Sequence, residues 1–159
     1  MDFPDIKLVV SEIDGIITEG LAGLGEMNVT MFKQYYLKDF EAINLIKRDF
    51  TFVIISSDAA INQSLCRQKN IPYFYSNDKS ASFRQILHRY SITPDNVLYV
   101  GASYSDKECM QMCGFSICPE DSPAELQEIA SHVAPNMGGT GVLCYVHDFL
   151  KINKRGKDA

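Results

Sequence analysis

Four short segments of this 159-residue chain carry residues whose types and spacing could do chemistry. The first is Ser11-Glu12-Ile13-Asp14-Gly15, two carboxylates two residues apart at the end of an apolar run. Acidic oxygens in that arrangement suit a hard cation, because Mg²⁺ takes one or two carboxylates and leaves its other positions to water and substrate. Gly15 then lets the chain turn sharply. The second is Ser56-Ser57-Asp58, two hydroxyls between the apolar run Val53-Ile54-Ile55 and a helical pattern. Hydroxyls beside the unpaired N–H groups of a helix start can receive an anion. The third is Asn77-Asp78-Lys79, where a lysine opening a helix opposes the macrodipole and calls for an anionic partner. The fourth, Gly101-Ala102-Ser103-Tyr104-Ser105-Asp106, follows Leu98-Tyr99-Val100 and keeps Asp106 as its only acid. Singly, each also reads as a solvated strand end or a simple cap.

The elements that must position them follow from periodicity. Apolar, β-branched runs at Ile6–Val10, Phe52–Ser56, Pro72–Tyr75, Asn96–Gly101 and Phe115–Cys118 read as strands. Helical spacing lies between them. Phe83, Ile86, Leu87 and Tyr90 share one face, and Ser122-Pro123-Ala124-Glu125 reads as a capping box with Pro at the first helical position. Asp58 suits the N-cap of the helix carrying Ile61 and Leu65, and Gly114 suits the stop after Cys113. Strands alternating with helices predict an α/β fold, a three-layer Rossmann-like parallel sheet. Residues 16–36 break the rhythm with Gly20, Gly23 and Gly25, then alternating Val29 and Met31, and read as an inserted β-hairpin. One domain is expected over residues 1–150, with a polar tail at 151–159. Ligands in such sheets bind at the carboxyl ends of the strands, where all four segments fall.

In order, spacing and placement, these segments resemble the four motifs of the haloacid dehalogenase superfamily of Mg²⁺-dependent phosphatases. More narrowly the chain looks like its small, capless subfamily of 3-deoxy-D-manno-octulosonate 8-phosphate phosphatase. That subfamily includes sialic-acid-type 9-phosphate phosphatases and the C-terminal domain of CMP-sialic acid synthetase. The resemblance runs from Ile6 to about Leu150 and includes the hairpin, Lys38-Asp39 and the loop Gly138-Gly139-Thr140-Gly141. It implies that residue 12 attacks phosphorus and ligates the metal, that Asp14 is general acid and base, and that Ser56 and Lys79 hold phosphate. The metal set it implies here is Glu12, Asp14 and Asp106.

Four positions depart from the family pattern. Glu12 stands where the family has Asp, Ala102 replaces a metal-binding Asp, and Asp58 and Thr140 stand where arginines are found. An extra methylene moves the attacking oxygen by about an ångström, which can cost on the order of 10²-fold. Loss of a ligating carboxylate weakens Mg²⁺ binding, and Asp58 should repel a sugar-acid phosphate. The main reading is therefore a catalytically degenerate domain of the sugar-acid phosphatase lineage, a pseudoenzyme acting in assembly, regulation or ligand binding. The alternative is an active Mg²⁺-dependent phosphatase of a 3-deoxy-octulosonate 8-phosphate or sialate 9-phosphate type substrate. The resemblance also implies a homo-oligomer, a tetramer formed through the 16–36 hairpin.

Composition narrows the partners. A net charge of -5, with 15 basic against 20 acidic residues, disfavours nucleic acid and anionic lipid. No apolar run reaches the roughly 20 residues of a membrane span, and the start MDFPDIKLVV lacks the basic region of a signal peptide. Five cysteines without a CxxC pair read as reduced thiols of a cytoplasmic protein, not as a zinc site.

Overall fold

A computed structural model describes residues 3–158. In chain order the elements are β1 (Leu8–Ser11), the short strands β2 (Gly23–Leu24) and β3 (Thr30–Phe32), α1 (Leu37–Ile46), β4 (Thr51–Ser56), α2 (Ile61–Gln68) and β5 (Tyr73–Tyr75). Then come α3 (Lys79–Tyr90), β6 (Val97–Val100), α4 (Lys107–Met112), β7 (Phe115–Pro119), α5 (Ala124–Ile129), β8 (His132–Ala134) and α6 (Val142–Asp158). Six strands form one parallel sheet in the order β5-β4-β1-β6-β7-β8, and β2 and β3 pair separately as the antiparallel hairpin.

The central strands are buried on both faces, which explains their unbroken Val/Ile/Leu content. Their two-residue period splits the core into two layers. Val9, Phe52, Ile54, Leu98 and Val100 pack with Ile43 of α1 and Val146 of α6. Leu8, Val10, Val53, Ile55 and Tyr99 pack with Phe83 of α3, Met110 of α4 and Leu126 of α5. The α/β three-layer fold with an inserted hairpin is therefore observed. Because every strand of the main sheet runs the same way, the ends of β1, β4, β6 and β7 open on one edge. The chain fills the sheet outward from β1 to β5 and then crosses to β6, so β1 lies at the reversal of strand order.

Several local expectations are corrected. The segment from Lys151 is no loose tail but the continuation of α6; Lys154 reaches Asp49 at 3.2 Å. The capping box at Ser122 does not form, because the Glu125 carboxylate is taken by Lys107 and the buried Ser122 hydroxyl has no partner. Asp58 is not the cap of α2, which starts at Ile61 after Ala60. Instead its Oδ1 accepts the Ala60 N–H at 2.8 Å and holds the turn before the helix. β8, a His-Val-Ala strand, carries no periodic signal. All five cysteines are free, and no helix among the described residues is long and apolar enough to cross a membrane.

Candidate active site

At the carboxyl end of β1, a cavity of about 300 Å³ is lined by Glu12, Asp14, Gly15, Ser57, Lys79, Ala102, Ser103 and Asp121, among others. Two glycines make it possible. Gly15 takes φ +84°, a left-handed conformation that disfavours a side chain, and turns the chain back beneath the pocket. Gly138 sits so close that a Cβ there would lie 2.2 Å from the Gly15 carbonyl oxygen. The Gly138 N–H donates to Asp121 Oδ1 at 3.0 Å, tying the late glycine loop to the end of β7.

The charged groups fall into two sets, each a lysine held by two carboxylates. Lys79, the first residue of α3, bonds Glu12 Oε2 and, at 2.7 Å, Asp106 Oδ1. This is the anionic partner expected from a lysine at a helix start, and Asp78 caps that helix by accepting the Ala81 N–H at 3.1 Å. Glu12 also accepts the Ile13 N–H at 2.8 Å. Its pKa is nonetheless raised: burial opposes the charged form, Lys79 only partly offsets this, and Asp106 shares the same ammonium and adds repulsion. For Lys79, burial likewise disfavours the charge, but Asp106 and Glu12 outweigh it and raise the pKa above the ordinary lysine value.

Asp106 is fully buried and its acceptors are filled. Oδ1 also accepts the Tyr99 hydroxyl at 2.8 Å, and Oδ2 accepts the N–H groups of Ala102 and Ser103, both at 3.0 Å, and the Ser103 hydroxyl at 3.2 Å. It shapes the turn after β6 rather than lining the pocket.

The second set centres on Lys33, which sequence reasoning missed. Leaving β3, it reaches Asp14 Oδ2 at 2.8 Å and Asp58 Oδ2 at 2.5 Å. Burial works against its charge, yet the hydrogen bonds to both carboxylates raise its pKa. For Asp58, burial is outweighed by the hydrogen bonds from Lys33 and the Ala60 N–H, and the carboxyl titrates below the usual range. Asp58 is thus not the bare repulsive charge expected from sequence. Asn62 completes the set, donating to Asp14 Oδ2 at 2.9 Å and accepting from the Tyr35 hydroxyl at 2.8 Å. No local pattern marks Asn62 or Tyr35, whose partnership spans 27 residues.

Ser56, the other expected phosphate holder, is buried, 3.4 Å from both the Asp58 N–H and Asn62 Nδ2; Ser57 is the hydroxyl that lines the pocket. Thr140 also stays out of it, bonding the Met137 carbonyl at 2.6 Å. Thiol nucleophiles find no support, since burial pushes Cys66, Cys109 and Cys113 to about 12.

Glu12, Asp14, Asp58 and Asp106 against Lys33 and Lys79 leave two surplus negative charges when all are ionised. Glu12 and Asp14 line the pocket and fit a cation that takes one or two carboxylates. Asp106 is fully buried and does not line the pocket. Among the described residues no three His, Cys, Asp or Glu side chains converge as a ligand cluster, and Ala102 brings only a methyl to the same wall. Of the three carboxylates expected from sequence, Glu12 and Asp14 line the pocket and Asp106 is bonded to Lys79.

Comparison with known proteins agrees with this fold. Residues 73–146 match the haloacid dehalogenase-like hydrolases. The chain is also homologous to 3-deoxy-D-manno-octulosonate 8-phosphate phosphatase KdsC. It is 28% identical over 150 residues to the Escherichia coli K12 protein, covering 92% of this chain and 79% of that one. The crystal structure of the Yersinia pestis 3-deoxy-D-manno-octulosonate 8-phosphate phosphatase superposes with a TM-score of 0.87 at 23% identity, covering 96% of this chain and 84% of that one. The Moraxella catarrhalis phosphatase, in complex with a magnesium ion, a phosphate ion and KDO, gives 0.86 at 18% identity, covering 94% and 88%. At those identities the structural likenesses speak for the fold.

Proposed function

We propose that this chain is a divalent-cation-dependent phosphatase acting on a phosphorylated sugar acid of the 3-deoxy-octulosonate 8-phosphate type. The observation that carries the reading is Glu12 and Asp14 lining one pocket, with Lys79 bonded to the Glu12 carboxylate. Homology to KdsC phosphatases over most of the chain supports it. Lys79 offers its ammonium to the phosphoryl oxygens beside the Ser57 hydroxyl. Glu12 attacks phosphorus and becomes the acyl phosphate, while Asp14 protonates the departing sugar oxygen. Asp14 then takes a proton from the water that opens the acyl phosphate, returning both carboxylates to their starting state. A magnesium ion held by the Glu12 carboxylate beside the Asp14 backbone carbonyl would neutralise charge on the transferring phosphoryl group. The hairpin belongs to the same reading: its exposed Leu21, Leu24, Met27, Val29 and Met31 form a face suited to a second copy of this chain, within a tetramer.

A second reading, ligand binding without turnover, is favoured by one observation: Ala102 supplies no oxygen where the wall of the pocket could hold a second ligating carboxylate. One assay separates them. With Mg²⁺ and 3-deoxy-D-manno-octulosonate 8-phosphate, the wild type releases phosphate, Glu12→Gln falls to background, and Asp14→Asn loses about 10²–10⁴-fold. Release that is equal in wild type and Glu12→Gln defeats the phosphatase reading and leaves binding.

A further inference from the structure

Lys33 and Tyr35 lie two residues apart where the chain leaves the hairpin, so in extended backbone they point the same way. Both turn back over the site, whereas Phe32 beside them is exposed. The Lys33 side chain is 7% exposed and lies 2.8 Å from Asp14 Oδ2. Tyr35 acts through Asn62, which donates to the same oxygen at 2.9 Å. Asp14 Oδ2 therefore receives two donors, and both are set by the hairpin exit. Asp14 Oδ1 has a different situation: its partner is the Thr18 hydroxyl at 3.3 Å, and the side chain lines the pocket.

A proton-transfer group works only within hydrogen-bond reach of the atom it serves, so a carboxylate pinned by two donors at one oxygen and held only by a long contact at the other suits that task. Asp58 shares Lys33 at 2.5 Å and keeps the buried ammonium in place when Asp14 gains or loses its proton. We propose that Lys33 is a positioning residue for the reaction. Through it and the Tyr35–Asn62 contact, the hairpin fixes Asp14 Oδ2 and presents Oδ1 to the leaving oxygen. This rests on Asp14 being the proton-transfer group of the phosphatase reading.

Steady-state kinetics of Lys33→Met, Lys33→Arg and Tyr35→Phe with Mg²⁺ and 3-deoxy-D-manno-octulosonate 8-phosphate test it. Lys33→Met lowers kcat on the order of 10²-fold, the scale of an ångström-sized misplacement, with KM nearly unchanged. Lys33→Arg recovers most of the loss, and Tyr35→Phe loses a smaller part of kcat, again without a change in KM. A Lys33→Met protein with wild-type kcat overturns the proposal, and so does a rise in KM at constant kcat, which would make Lys33 a substrate-binding group. Where Lys33→Met fails to fold, Tyr35→Phe decides, and an unchanged kcat overturns the proposal. Calorimetric titration with tetrafluoroaluminate and Mg²⁺ gives a readout free of turnover: Lys33→Met binds this phosphoryl analogue more weakly, and equal affinity counts against it. A wild type that neither releases phosphate nor binds the analogue overturns the functional reading and this one together. Variants that keep wild-type kcat, on an active wild type, overturn this one alone.

Discussion

Glu12 carries the same charge as an aspartate but on a longer arm, and that arm reaches Lys79 across the site. Shortening it returns the carboxylate toward the backbone of β1, nearer the line of an in-line attack, while Ala102→Asp adds an anionic oxygen to the facing wall. The double variant Glu12→Asp/Ala102→Asp is therefore expected to hydrolyse 3-deoxy-D-manno-octulosonate 8-phosphate on the order of 10²-fold faster than wild type. It should also saturate at lower Mg²⁺. Rates and Mg²⁺ titrations side by side check this. Equal rates and equal Mg²⁺ dependence would mean that neither the arm length nor the missing carboxylate limits the wild type. The residues of the site divide by how they are legible. Glu12, Asp14 and Lys79 can be read because strand ends and helix starts have local signatures. Lys33 and Asn62 cannot, because what gives them meaning is a contact across 19 and 48 residues. The charge of Asp58 is visible in sequence, but its neutralisation by Lys33 is not.

At the level of elements, strands were readable because burial on both faces demands uninterrupted apolar runs, and β8 escaped because three residues are too few for a period. Helix starts were less readable where a distant charge takes the capping group, as Lys107 takes Glu125. The junction of α1 and α6 shows the reverse case, a cap supplied from another helix. Asp39, in the first turn of α1 and fully buried, accepts the Cys144 N–H from the first turn of α6 at 3.0 Å. Its Oδ2 has no partner. Burial outweighs the N–H bond and raises its pKa to about 6 from 3.8. With the folded value above the unfolded one, the stabilisation is fully present below pH 3.8 and is lost as pH rises through about 6. The span is on the order of 3 kcal/mol. Asp39→Asn keeps an acceptor for Cys144 but cannot ionise. Urea unfolding of wild type and Asp39→Asn between pH 4 and pH 7.5 should show the variant gaining on wild type as pH rises, and parallel stability curves would contradict the assignment.

For the molecule as a whole, the hairpin is where exposed apolar side chains gather, with Leu21, Leu24, Met27, Val29, Met31 and Phe32 all exposed. An isolated two-stranded hairpin is marginal in water, and this one has strands of two and three residues with Met27 94% and Leu24 60% exposed. Monomeric proteins seldom leave contiguous apolar patches larger than a few hundred Å², so Leu21, Leu24, Met27, Val29 and Met31 together call for cover. The same hairpin ends in Lys33 and Tyr35, which hold Asp14, so covering its outer face would steady the site from behind. Sedimentation velocity is expected to show the wild type as an oligomer rather than a 17.9 kDa particle. Leu24→Glu/Met27→Glu, at positions outside the core, should release the monomer while shifting unfolding free energy by only about 0.5 kcal/mol apart from the assembly term. The released monomer should also show lower kcat, since Lys33 and Tyr35 would hang on an unsupported hairpin. A wild type that sediments as a monomer removes the assembly from the proposal, and a fully active released monomer separates assembly from catalysis.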